Sequence, residues 1–284
     1  MPERRFATPK PIQLSVNNGA GTIEIVATDT AESTVVVQGR DGDGAQAAEE
    51  TEISFSEQTS RLTVQPPDKR FGNTPPLDIR IVLPAGSTAK ANSGSADISV
   101  QGRLAGIAMN TGSGNLEAGQ VDGDAELKAG SGDIRLGPVA GEVDAKTGSG
   151  NIQVDRAAGF SASSGSGNVR IGAVDGSTDI KGASGNISIG AVDGPTNIKG
   201  ASGNVSIGSA RRGAIVVTTA SGDVEVGVAA GAVARLAVSS ISGEVSSDLP
   251  VEDRAPEGDS AVDLRLNTVS GNVSVIRAAR PETG

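Results

Sequence analysis

The 284-residue sequence has no cysteine, histidine, tryptophan or tyrosine, and only four phenylalanines. Without cysteine there are no disulfides and no thiolate ligands. Without histidine there are no imidazole metal sites and no Ser-His or Cys-His catalysis. The scarcity of aromatics removes the flat platforms on which sugar rings stack. No stretch approaches the roughly 20 apolar residues of a membrane helix. The N-terminal MPERRFATPKPIQ has no apolar run behind its basic residues, unlike a signal peptide. A cytoplasmic location is therefore expected, with the cell surface reached only by another export route. Acidic residues outnumber basic ones by 34 to 24, for a net charge of −10. Such a chain repels nucleic acid and anionic lipid unless it carries a basic patch, so neither nucleic-acid binding nor membrane insertion is expected.

What the sequence has in quantity is glycine, 40 residues, and most of it recurs at fixed places. Serines at 95, 113, 131, 149, 166, 184, 202, 221, 242 and 270 each open a turn that leads into a short alternating strand. After a glycine turn comes a second alternating strand, then the next serine. The spacing is 18 residues for most steps, stretching to 21 and 28 at the end. A period this constant is one coil of a β-solenoid, because each coil must stack in register on the last. Three residues past each serine stands Ile98, Leu116, Ile134, Ile152, Val169, Ile187, Val205, Val224, Val245 or Val273, apolar every time. Two further on, the column is apolar except at Ser247. Alternation turns both columns inward, so that Ile152 is buried and its neighbour Gln153 faces out.

The predicted fold is all-β: a single-stranded parallel β-helix, taken as right-handed, with ~18-residue coils. Residues 1–90 form a β-rich N-terminal capping segment continuous with the solenoid, whose short runs between 12 and 83 are spaced too irregularly to be ordinary coils. Asp41-Gly42-Asp43-Gly44 is read as a turn cluster, and 66–76, with four prolines, as a loop. Residues 91–276 are the helix proper, with an insertion loop at 248–262. The coil from Asp263 to Ile276 closes the C-terminal end, and 277–284 form a disordered tail. At the Ser-Gly corners, Gly150 and Gly167 are expected to adopt a left-handed or otherwise restricted backbone.

Three columns could carry chemistry. Asn or Asp follows the Ser-Gly pair at Asn115, Asp133, Asn151, Asn168, Asn186, Asn204, Asp223 and Asn272. These read as a corner ladder bonding local backbone, in preference to a row of calcium ligands, because the GGxGxDxUx nonapeptide of calcium β-rolls is absent. No metal or cofactor is expected. A second column, Lys128, Lys146, Lys181 and Lys199, has Glu126, Asp144, Asp179 and Asn197 two residues before it on the same outer face. It is the candidate partner-binding face, for an unidentified protein or an anionic polymer, and is otherwise a solvated surface. Third, Asp122, Asp175 and Asp193 stand in V-D-G turns. They would matter for catalysis only if they converged in a groove, so no catalytic residue is assigned.

The run F-A-T-P-K-P-I-Q-L-S-V at 6–16, G-A-G-T-I-E-I-V-A-T at 19–28, L-P-A-G at 83–86, the T-G-S-G-N and A-S-G-N/D repeats, and G-A-I-V-V-T-T-A-S-G-D-V-E-V-G-V at 213–228 follow one another in order. Over residues 6–276 this resembles the bacterial putative-adhesin family, a β-strand-repeat domain of unknown function. The resemblance implies a parallel β-helix and brings no catalytic residues. The expected role is a non-catalytic, adhesin-like binding or scaffold protein presenting a regular lateral surface. The alternatives are a carbohydrate-active β-helix enzyme and a scaffold that self-assembles through its coil ends.

Overall fold

The structure, a computed structural model, describes residues 2–67, 75–249 and 261–278. The chain divides into two compact units, residues 1–150 and 151–284.

In the first unit the strands are β1 (Glu3–Ala7), β2 (Gln13–Asn18), β3 (Gly21–Thr28) and β4 (Glu32–Gly39), then helix α1 (Gly42–Glu49). There follow β5 (Glu52–Ser56), β6 (Arg61–Gln65), β7 (Leu77–Pro84), β8 (Thr88–Ser93) and β9 (Asp97–Gln101). The unit ends with β10 (Gly106–Thr111), β11 (Leu116–Ala118), β12 (Ala125–Ala129) and β13 (Ile134–Thr147). Two parallel ladders run through it. One stacks β6, β2, β8, β10, β12 and the second half of β13. The other stacks β7, β3, β9, β11 and the first half of β13. Inward columns such as Leu62, Leu14, Ala89, Ile107, Ala125 and Val143 sit directly over one another and are buried.

Two expectations need correction here. The strands of 12–28 are ordinary coil strands, in register with β8 and β9 on one side and with β6 and β7 on the other. The irregular spacing arises because the chain leaves the stack after β3, and its coil at 61–84 then pairs with the outer edge of 12–28. The excursion covers that outer coil. From it β4 pairs antiparallel with β7 and β5 with β6, while the N-terminal β1 pairs antiparallel with β4. The supposed turn cluster at 41–44 starts α1 instead. The Asp41 side chain caps it by accepting from the Gly44 N–H, and Ala47 and Ala48 are buried. Most of the expected proline loop lies outside the described residues.

The second unit contains β14 (Ile152–Ser164), β15 (Val169–Val174), β16 (Thr178–Ser184), β17 (Ile187–Val192), β18 (Thr196–Ser202) and β19 (Val205–Ala210). It continues with β20 (Gly213–Ser221), β21 (Val224–Val228), β22 (Val233–Ser242), β23 (Val245–Ser247), β24 (Ala261–Ser270) and β25 (Val273–Arg277). Its parallel ladders follow the chain until β20 and β21, and then the order changes. β24 lies between β20 and β22, and β25 between β21 and β23. The coil from Asp263 to Ile276 thus does not close the end, as expected from sequence. It is inserted one place in, and the earlier coil of β22 and β23 is outermost. Residues 250–260 of the expected insertion lie outside the described residues, while Ala261 and Val262 belong to β24. Of the expected tail, Arg277 ends β25 and the Ala278 N–H donates to the Val228 carbonyl at 2.8 Å; the rest lies outside the described residues.

The inward-outward reading holds where tested: Ile152 is 1% exposed and Gln153 is exposed. The corner reading holds in part. Gly185, Gly203 and Gly222 have φ of 139°, 125° and 133°, but neither Gly150 nor Gly167 is in the left-handed region. At Gly150 the restriction is close approach: a Cβ would lie 1.9 Å from the Gly132 carbonyl oxygen one coil away.

Candidate functional site

The Asn/Asp column is a structural ladder. Side-chain oxygens along it accept from the backbone N–H of the equivalent residue in the next coil. In the first unit Asp97 Oδ1 accepts from Asn115 N–H at 2.7 Å, and Asn115 Oδ1 from Asp133 N–H at 3.0 Å. In the second unit the chain runs Asn151, Asn168, Asn186, Asn204, Asp223, Asn272 and finally Glu244 N–H. The jump from Asp223 to Asn272 and back to Glu244 records the changed coil order in hydrogen bonds. With these oxygens committed to backbone, calcium at millimolar concentration should leave the melting temperature unchanged; a micromolar site would raise stability by about 4 kcal/mol. Among the described residues no cluster of three or more acidic, His or Cys side chains is placed to hold a metal.

The V-D-G aspartates are all held in ion pairs. Asp122 pairs with Arg103 at 2.9 Å, Asp175 with Arg156 at 2.7 Å, and Asp193 with Arg212, each across neighbouring coils. Arg156 grips both oxygens of Asp175, through Nε at 2.9 Å and Nη2 at 2.7 Å. Each of these carboxylates is thus offset by an arginine, through two hydrogen bonds at Asp175 and one each at Asp122 and Asp193, the arrangement of a surface brace.

The lysines fall into two rows, one in each unit. Lys128 stacks on Lys146 in the first, and Lys181 on Lys199 in the second. Three are offset by the acid two residues before: Lys128 by Glu126, Lys146 by Asp144 at 2.7 Å, and Lys181 by Asp179 at 3.5 Å. Hydrogen bonding to Glu126, and its charge, raise the Lys128 pKa. Lys199 has Asn197 at the acid's place, and Asn197 donates instead to Asp179 at 2.9 Å.

In the first unit the ladders continue these rows into a region that sequence spacing did not align. The lysine row runs back from Lys128 to Asn110, Asn92 and Asn17. Asn92 donates to Asn17 at 3.0 Å, and Asn17 donates to Gln65. The acid row runs back from Glu126 to Ala108, then to Lys90 and Ser15. A lysine therefore stands where later coils carry an acid. On β10 this face carries the small residues Gly106 and Ala108 beside Thr88 and Lys90 of β8, with Glu126 of β12 beyond Ala108. The result is a trough: an open cleft of about 600 Å³ lined by Gln13, Asn17, Arg61, Lys90, Asn92 and Ala108. A second hollow, of about 240 Å³, continues it past Ala108 to Asn110, Glu126 and Lys128. Arg61 donates to Gln13 at 3.0 Å. Among the described residues neither Arg61 nor Lys90 has a carboxylate partner. Sequence reading missed both: Lys90 lies two coils before Glu126, ahead of the first serine of the regular spacing.

Among the described residues no helix is long and apolar enough to cross a membrane. No functionally curated protein matches the chain. Among solved structures, a putative lipid binding protein from Parabacteroides distasonis has 15% identity over 98% of this chain and 96% of its own, with a TM-score of 0.50. A putative adhesin from Parabacteroides merdae has 12% identity over 96% and 95%, with a TM-score of 0.44. A putative adhesin from P. distasonis has 11% identity over 96% of each chain, with a TM-score of 0.41. The model of the Toastrack DUF4097 family matches residues 12–276, nearly the whole of the paired coils, in line with the resemblance read from the sequence. The chain therefore belongs to the Toastrack DUF4097 family.

Proposed function

We propose that the protein is a non-catalytic binding module, and that the trough on the outer face of its first unit receives an extended anionic ligand, a polymer segment or an acidic stretch of protein. The observation that carries this reading is the pair Arg61 and Lys90. They are exposed cations without acid partners among the described residues, set among the amides of Gln13, Asn17 and Asn92, in a chain of net charge −10. Amides and cations in a row suit carboxylate or sulfate groups spaced along a chain. Lys128 and Lys146 extend the row with less field, since each is offset by its own acid. Lys181 and Lys199 give the second unit a weaker equivalent. No reaction is assigned, because the aspartates nearest to a catalytic pattern are held by arginines.

Titration with polygalacturonate and alginate, followed by calorimetry at rising salt, tests the reading. Binding should be modest and should weaken with salt, since exposed charges are screened beyond ~8–10 Å. Replacing Arg61→Glu and Lys90→Glu together should weaken it by about tenfold, roughly 1.4 kcal/mol. Lys146→Glu and Lys181→Glu should each do less. Binding that ignores the double reversal and salt would refute the trough as the site, and release of reducing sugars would make the protein an enzyme.

A further inference from the structure

The coil of β22 and β23 ends its stack with nothing on its outer side among the described residues. Its inward columns show it. Leu236 is 41% exposed and Val245 49%, while their neighbours one coil in, Leu264 and Val273, are 1% and 0% exposed. Ile241, on the same strand, is 80% exposed. Among the described residues the ten-residue β22 also has no strand partner for the backbone N–H and C=O groups of its outer edge. Edge strands are normally blunted with lysine, proline or a bulge. β22, VARLAVSSIS, has none of these; its one charge, Arg235, lies 3.8 Å from Asp263 on the strand behind it. The outer coil of the first unit is treated in the opposite way, since antiparallel strands cover β6 and β7.

We propose that this end is closed by a second copy of the chain, β22 pairing antiparallel with its counterpart across a two-fold axis. Self-complementarity favours a copy over another partner. In an antiparallel pair centred on Ala237, Leu236 of each chain stands opposite Val238 of the other, twice over, on the core side of the sheet. Arg235 then faces Ser239, so no like charges meet. An isologous contact of this kind is closed, leaving no further edge to propagate. The copy would do at this end what β4 and β5 do for the outer coil of the first unit.

The test is the mass of the full chain in solution. Light scattering at micromolar concentrations should give two chains for the wild type and one for Leu236→Lys, with the melting temperature of the variant checking that it is folded. Lys90→Glu should remain dimeric, which separates this contact from the trough. Because the chain has no cysteine, Ala237→Cys provides a second measurement: its residue faces itself across the axis and should cross-link on oxidation, whereas Ser206→Cys should not. A single-chain mass for the wild type, open-ended larger species, a dimer indifferent to Leu236→Lys, or no more cross-linking at 237 than at 206 would each overturn the proposal.

Discussion

Ile189→Asp is expected to unfold the second unit or bring it close to unfolding. Ile189 is 1% exposed and lies in register between Ile171 and Ile207, themselves 1% and 0% exposed. The substitution forgoes about 1.5–3 kcal/mol of burial. It also places a carboxylate among aliphatic side chains that can neither pair nor hydrogen-bond it, at a further cost of several kcal/mol. Together these rival the 5–15 kcal/mol that typically separates a folded domain from its unfolded chain. Desolvation raises the pKa of such a buried carboxyl, so the penalty should be smallest below the unfolded value near ~3.9 and grow as pH rises above it. Ser188→Asp is the control. Ser188 faces out beside Arg170 and Ser206, and the change there should stay within about 0.5 kcal/mol. Denaturant melts that coincide for the two variants would refute the inward-outward assignment.

That contrast was legible in the sequence because alternation and a fixed period are local properties: each coil states which of its side chains face in. The order in which coils stack is not local. Leu264 and Leu236 are equally good neighbours for Ile215, since every coil offers the same small aliphatic columns. Only the 21- and 28-residue serine steps hinted that the sequence order would break near the end. The same interchangeability hid the swap at 61–84, where the chain departs through β4, α1 and β5 before its next coil. The Asn ladder was readable as a corner feature, but its direction, side chain to the next coil's backbone, needed coordinates. The trough could not be read at all. It depends on Gly106 and Ala108 being small where Lys90 and Glu126 on the flanking strands are large, and the columns could not be aligned that far back without the ladders.

Gly132→Ala should be among the most damaging of conservative changes. A Cβ there would lie 1.7 Å from the Gly114 carbonyl oxygen, and the corner repeats the crowding: a Cβ on Gly114 would be 2.0 Å from the Ala96 oxygen, and one on Gly150 1.9 Å from the Gly132 oxygen. The obstacle is backbone, which cannot rotate away as a side chain can. Relief would require the coils to separate, but ladder hydrogen bonds hold their spacing near 4.8 Å on either side of the corner. The cost should therefore reach or exceed the upper end of the roughly 1–3 kcal/mol of ordinary overpacking. Gly182→Ala gives the comparison. There the added carbon would meet only the Ile187 side chain, at 3.5 Å from Cδ1 and 3.9 Å from Cγ1, an ordinary contact. Its effect should be near zero or slightly stabilising, by up to about 1 kcal/mol, because alanine loses less chain entropy on folding. If the two variants melted alike, the close approach of neighbouring coils would not be what keeps glycine at this corner. A large gap would assign it to the distance between coils, and would explain why Gly132 is needed although its φ lies outside the left-handed region that Gly185 and Gly203 occupy at the same point of later coils.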